Sequence, residues 1–358
     1  MKINNKTVVT GKTENFFSYY GWPTVCVDEN DVLYTVCSGH RMGHVCPFGK
    51  TYMYKSRDNG KTWSVPSVID DSYFDDRDAG ILYLGDGKML VTNFKHPVDV
   101  YVKYYKDAVS EASGNFGTEM LELCEKLDEK DKKGGSFYKV SCDYGETWGE
   151  KIRIPVSCPH GPVKLKNGDI LYVGKEMYSC GDEEEDTINA YILKPEQSDF
   201  KKVGALKKPA AYDWSKFHEP HCVELENGTL LAVIRAQIDE NGDNFTMFKS
   251  FSADFGKTWS ELCETGICGS PPHLLKLSDG RILLSYARRL EPYGIYARLI
   301  EKDGTFSSRE LLIDSAKDSD IGYPATVQLK NGDLETVFYK REISDRFTSI
   351  VAVNWNLE

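Results

Sequence analysis

The 358-residue sequence lacks an excess of basic charge. It holds 44 Lys and Arg against 55 Asp and Glu, a net charge of -11, which argues against a surface made for a phosphate backbone or an anionic membrane. It also lacks any run approaching the ~18 apolar residues of a membrane span. The first residues, "MKINNKTVVTGK", hold no apolar core of signal-peptide length, so a soluble cytoplasmic protein is expected. Ten cysteines are present, yet none form a CxxC pair and several fall inside apolar runs. Buried free thiols are expected rather than disulfides or a zinc site.

What the sequence does contain is repetition. "SRDNGKTWS" at 56, "SCDYGETWG" at 141 and "SADFGKTWS" at 252 share the frame S-x-D-x-G-x-T-W, and "EKDGTF" at 301 is a degenerate copy. Asp58, Asp143 and Asp254 can accept hydrogen bonds from their own turns while Trp63, Trp148 and Trp259 plug between layers. A structural fastener is therefore expected there, not a site.

A second repeat covers the chain more evenly. Six hairpins recur, namely "GWPTVCVDENDVLYTVCSGHR", "DAGILYLGDGKMLVTNFKH", "PHGPVKLKNGDILYVGKE", "EPHCVELENGTLLAVIRA", "PPHLLKLSDGRILLSYARR" and "YPATVQLKNGDLETVFYKR". Five turn on N-G or D-G, a hairpin signal, and each is followed by material for two more strands. The expected fold is all-β, a six-bladed propeller of four-stranded antiparallel blades spanning 1–358 as one domain. "TSIVAVNWN" and "KTVVTG" would close the last blade from both termini. A partly helical insertion at about 97–136 interrupts blade 2, and an inert excursion or an oligomer contact is the expectation for it, ahead of a lid.

Aligning the hairpins on the turn glycine, or on Asp31 in the first, places Trp22, Asp78, Pro159, Glu219, Pro271 and Tyr323 nine residues earlier, at the axial start of each inner strand. Asp76, Arg77, His160, His221 and His273 stand beside them. The second strands return to the same mouth with Arg41, Lys95, Lys175 and Glu176, Arg235, Arg288 with Arg289, and Tyr339 with Lys340. Cations around a few carboxylates suit an anionic or hydroxyl-rich ligand, because an Arg fork pairs bidentately with a carboxylate. Internal ion pairs are the competing account of each residue. The histidines, with His40, His44 and His218, also permit a metal or an imidazole base, although H-E-P-H lies at a strand start and is not a helical zinc signature.

The S-x-D-x-G-x-T-W boxes resemble those of the sialidase (neuraminidase) superfamily, and two segments resemble its catalytic ones. "EPHCVELENGTLLAVIR" is similar to the segment pairing a catalytic glutamate with a ligand-binding arginine, which implies those roles for Glu219 and Arg235. "GYPATVQLKNGDLETVFY" is similar to the one bearing a nucleophilic tyrosine, which implies that role for Tyr323. The resemblance breaks at "YGWP", where Gly21 replaces the first of three clamping arginines, and in "SGHRMGHVCPFGK", which has no acid/base aspartate but offers His40, Arg41 and His44. Asp76 or Asp78 of "DDRDAG", or a group of the His40 to His44 loop, is then the expected acid, with Arg77 on an anionic group. The expectation is a sialidase-like glycoside hydrolase acting on a terminal acidic sugar of a glycan, with no metal and no cofactor. Arg41, His40, His44, Trp22, His160, His221, His273, Lys95, Glu176 and Arg288 are expected to contact the ligand. A lyase acting on uronic-acid glycans and a propeller that binds carbohydrate without turnover are the alternatives. Oligomeric state is not readable.

Overall fold

The computed structural model describes residues 1–177, 187–194, 199–239 and 245–357. Six antiparallel sheets follow one another around an axis. Blade 1 runs Tyr19–Val27, Leu33–Arg41, Lys50–Ser56 and Ser67–Asp70, from the axis outwards. Blades 2, 4 and 5 repeat this order, with inner strands Arg77–Gly85, Phe217–Glu224 and Ser270–Lys276. In blade 3 the inner strand is split into Val156–Ser157 and Val163–Lys164, both paired with Ile170–Glu176.

The last blade closes the ring. Its inner strands are Gly322–Gln328, Leu334–Lys340 and Ser349–Asn356, and its outermost is the N-terminal Lys2–Thr10, antiparallel from Lys2 opposite Asn356 to Thr10 opposite Ile350. Mixing the two ends in one sheet leaves no blade with an unpaired junction. Six apolar clusters fill the wedges between neighbouring blades. The first, joining blades 6 and 1, buries Trp22, Tyr323, Tyr339 and Ile350 together.

Each strong box is a closed local circuit at the turn after the third strand. In the first, Asp58 Oδ1 accepts from Ser56 Oγ and Thr62 N at 2.9 Å each, and its Oδ2 accepts from Thr62 Oγ1 at 2.6 Å. The same bonds recur around Asp143 and Asp254. Asn59 and Gly60 take φ of 57° and 76°, as that turn demands. Cys180 lies outside the described residues; the other nine cysteines are free thiols, six of them buried. No helix among the described residues is long and apolar enough to cross a membrane.

The insertion leaves blade 2 after Lys95 and includes the helices Lys106–Ser113 and Asn115–Cys124. It has an apolar core of its own, in which Val98, Tyr101, Val109, Leu121 and Cys124 bury Phe74. The Tyr101 hydroxyl donates to Asp75, which also pairs with Arg41 of blade 1. An inert, solvated excursion is thus the wrong description: the segment is anchored to the propeller beside the axis.

Candidate active site

Four of the six inner strands carry a left-handed residue at the same place: Trp22 at φ 53°, Asp78 at 52°, Glu219 at 48° and Tyr323 at 54°. Each sits where the ladder to the second strand skips, between Gly21 and Thr24, Arg77 and Gly80, His218 and Pro220, and Gly322 and Ala325. A bulge there turns one extra side chain towards the axis. Left-handed backbone costs a non-glycine residue about 1–3 kcal/mol, and such strain concentrates at functional sites. Blades 3 and 5 have Pro159 and Pro271 at this position, and the proline ring bars a positive φ.

Three of these residues, Asp78, Glu219 and Tyr323, line a cavity of about 360 Å³ at the mouth of the axis. The Tyr323 hydroxyl donates to Glu219 Oε1 at 2.5 Å, and Arg235 Nη1 donates to Glu219 Oε2 at 2.7 Å. Burial raises the Glu219 carboxyl, but the Arg235 charge and the Tyr323 hydroxyl outweigh it and hold it below its ordinary range. Burial, then the Glu219 charge, pushes the Tyr323 phenol well above its usual value. The pair therefore rests as a neutral phenol on an ionised carboxylate.

Asp78 differs. Burial pushes its carboxyl up to about 6, against the pull of Arg77 and with the help of the Glu219 charge. Arg77 Nε lies 3.4 Å from Asp78 Oδ1, and Arg77 Nη1 lies 3.8 Å from Asp75 Oδ2. One carboxyl is thus held charged and another is poised to hold a proton in the same pocket, which separates a base from an acid.

The remaining expected residues fall into three groups. Arg77, His44, Lys175 and Arg235 line the pocket. Lys175 Nζ donates to the Phe217 carbonyl at 2.9 Å, and His44 Nδ1 meets the Tyr19 hydroxyl at 3.0 Å. Trp22 lies just beneath, with Arg77 4.3 Å and Arg41 4.7 Å above its ring. His160, His221 and His273 sit deeper on the axis with ring centroids 4.7–5.7 Å apart. They are buried, and His221 and His273 use Nδ1 to accept the Leu274 and Thr326 amides.

The others belong elsewhere, and each has a reason. Arg41 is fully buried and spent on Asp75, Ser38 Oγ and the His44 carbonyl, so it positions the Asp75 cluster instead of meeting a ligand. Asp76 accepts from the Ser72 amide and from Lys151 at 2.9 Å and does not line the pocket. Glu176 is enclosed and accepts from Asn189 and Tyr191. His40 stacks on Phe17 at 4.1 Å, outside the pocket. Lys95 lines a different cavity. Arg288 turns to Glu310 at 2.9 Å, whereas Arg289 lies 5.6 Å from the centre of the Tyr323 ring and donates to the Tyr339 hydroxyl at 3.0 Å. Arg289 is the member of that pair turned towards Tyr323.

Sequence reasoning missed Phe94, His96, Tyr105, Ser157, Met177 and Gln237 as pocket lining. Phe94 and His96 flank Lys95 and had a signal in strand alternation. Tyr105 belongs to the insertion and had none. Gly21 leaves the first clamping position vacant: a Cβ built there meets nothing nearer than Tyr19 Cε1 at 3.6 Å, so packing does not forbid a side chain.

The chain is thus a closed six-bladed propeller with aspartate boxes and with a tyrosine and a glutamate paired at its axial mouth. The BNR repeat-like domain model matches residues 123–336, more than half the chain, and the protein belongs to that family. Similar solved structures include a protein of unknown function from Dyadobacter fermentans, with 21% identity, TM-score 0.78, and coverage of 100% of this chain and 99% of that one. The NanB sialidase of Streptococcus pneumoniae has 15% identity and TM-score 0.70, covering 99% of this chain and 70% of its own. The intramolecular trans-sialidase of Ruminococcus gnavus has 15% identity and TM-score 0.65, covering 96% and 95%. At these identities the likeness is one of fold. No curated protein matches the sequence.

Proposed function

We propose that the protein is a sialidase-like exo-glycosidase that removes a terminal acidic sugar from a glycan. The observation carrying this reading is the 2.5 Å contact between Tyr323 and Glu219 inside a pocket that also holds Asp78. Tyr323 attacks the anomeric carbon as Glu219 takes its proton. A neutral nucleophile approaches an anionic sugar with less repulsion than a carboxylate would. Asp78 protonates the departing oxygen and afterwards draws the proton from water. Arg235, Arg289 and Arg77 attract the sugar's carboxylate. Because Gly21 leaves one clamping position empty, uronic and other acidic sugars stand beside sialic acid as substrates.

The test is hydrolysis of a panel of aryl glycosides of sialic, glucuronic, galacturonic and neutral sugars. Turnover of an acidic member that Tyr323→Phe abolishes supports the reading. Release from none of them, or undiminished turnover by Tyr323→Phe, removes it.

A further inference from the structure

Behind the pocket lies a second cavity, of about 700 Å³, bounded by blade 2 and the end of the insertion. The end of the strand Lys88–Lys95 and the residue after it divide the two spaces. Phe94 and His96 line the first and Lys95, between them, lines the second, as alternation along a strand requires.

Lys95 is only 8% exposed, and among the described residues nothing accepts a hydrogen bond from its ammonium. Its near neighbour is the Phe137 ring, 5.9 Å from Nζ, around which Lys151 at 4.5 Å and Arg153 at 5.7 Å also gather. Burial and the Lys151 charge both disfavour the Lys95 ammonium. Three of the acids nearby hold other cations, and a fourth, Asp131, lines the same cavity and favours the Lys95 ammonium without bonding to it. Asp70 and Asp76 hold Lys151, and Asp71 pairs with Lys50 at 2.7 Å. Lys130 and Lys133, both exposed, add positive charge to the rim. An enclosed cation that no carboxylate bonds directly is costly, and a bound anion relieves that cost. Tyr73, 67% exposed, and Phe137 give the same cavity two aromatic faces.

The geometry points to a second carbohydrate site, separate from the Tyr323 pocket, that takes an acidic saccharide with its carboxylate or sulfate on Lys95 and a sugar ring against Tyr73 and Phe137. Aromatic faces with a few placed charges are how protein cavities fix such ligands. Nothing in this assignment depends on hydrolysis at Tyr323.

Calorimetric titration with trigalacturonate, with 6-sulfated N-acetylglucosamine and with neutral cellotriose tests it. At least one acidic probe should bind the unaltered chain and the Tyr323→Phe chain equally, and which one binds tells carboxylate from sulfate. Lys95→Gln should weaken that binding at least tenfold, and Lys130→Ser with Lys133→Ser several-fold. The paired surface change decides the matter if Lys95→Gln does not fold. Binding of neither acidic probe, equal binding of cellotriose, loss of binding in Tyr323→Phe, or unchanged affinity in the lysine variants overturns the proposal.

Discussion

Tyr323 and Glu219 stand 104 residues apart in the chain, and their side chains meet at 2.5 Å, each lifted from its strand by a left-handed bulge. The same carboxylate holds Arg235 at 2.7 Å, so in the proposed reaction it is both the base and the anchor for a cation. Glu219→Gln keeps the shape and removes the basicity. It should lower kcat by about 10²–10⁴, the usual worth of a positioned base, while KM changes much less. Steady-state kinetics on the glycoside the unaltered protein cleaves measures this, and an unaltered kcat would show that Glu219 takes no proton.

In the proposed reaction Asp78 should set the alkaline side of the pH profile. Its carboxyl is pushed up to about 6, and an acid must be protonated to act, so kcat/KM should fall as pH rises through about 6. Glu219, held below the ordinary carboxylate range, should leave the acid side active to unusually low pH. Asp78→Asn should remove the limb near 6 along with most of the activity. A profile that keeps that limb in Asp78→Asn assigns it to another group.

The two consecutive arginines separate cleanly. Arg289 lies by the Tyr323 ring, and Arg288 is bound to Glu310. Losing a charged contact to a ligand typically costs about 2 kcal/mol or more, so Arg289→Met should reduce kcat/KM by about 30-fold or more. Arg288→Met should leave it within about two-fold and act on stability instead. Equal losses from both would place neither at the sugar.

That pair also marks where the sequence stops being legible. The hairpin frame brought Asp78, Glu219 and Tyr323 together at one mouth because each stands nine residues before the glycine of its own turn. It could not assign facing beyond them. Regular alternation along Lys88–Lys95 puts Phe94 and His96 on one side and Lys95 on the other, but which side meets the pocket follows from the pairing of the strands and not from the letters. Arg41 and Asp76 lie outside the pocket lining for another reason. Their partners, Asp75 and Lys151, come from 34 and 75 residues away, and no local pattern reports such a meeting. The insertion is the same case, since its role rests on the bond from Tyr101 to Asp75.

Asp75 joins three parts of the molecule. Its buried carboxylate meets Arg41 of blade 1, Arg77 of the pocket and Tyr101 of the insertion. Asp75→Asn leaves two buried arginines short of a counter-charge and should destabilise the protein by about 3–5 kcal/mol. Tyr101→Phe removes one hydrogen bond to a charged group and should cost about 1.5–3 kcal/mol. Urea unfolding gives both values. Amide exchange across 98–124 should quicken in each variant, and exchange equal to that of the unaltered chain would mean that the insertion is held by something else.

Glu335 makes ring closure sensitive to pH. It lies in the second strand of blade 6, 1% exposed, with Oε2 accepting from Asn354 at 3.0 Å and Oε1 facing Gly60 of the first aspartate box without a partner. Burial pushes its carboxyl up to about 8 from an ordinary value of 4.5, further helped by the charges of Asp333 and Asp58. The folded chain therefore keeps this proton between pH 4.5 and 8 while the unfolded chain releases it. Stability falls across that window as pH rises and is flat on either side of it, by up to about 5 kcal/mol at 1.36 kcal/mol per unit. Glu335→Gln copies the protonated form, so its contribution does not change with pH. In denaturant titrations at pH 5 and pH 9 the variant should be near the unaltered protein at the lower value and more stable at the higher. Equal stability differences at both pH values would show that Glu335 ionises normally and that the seam between blades 6 and 1 carries no such proton.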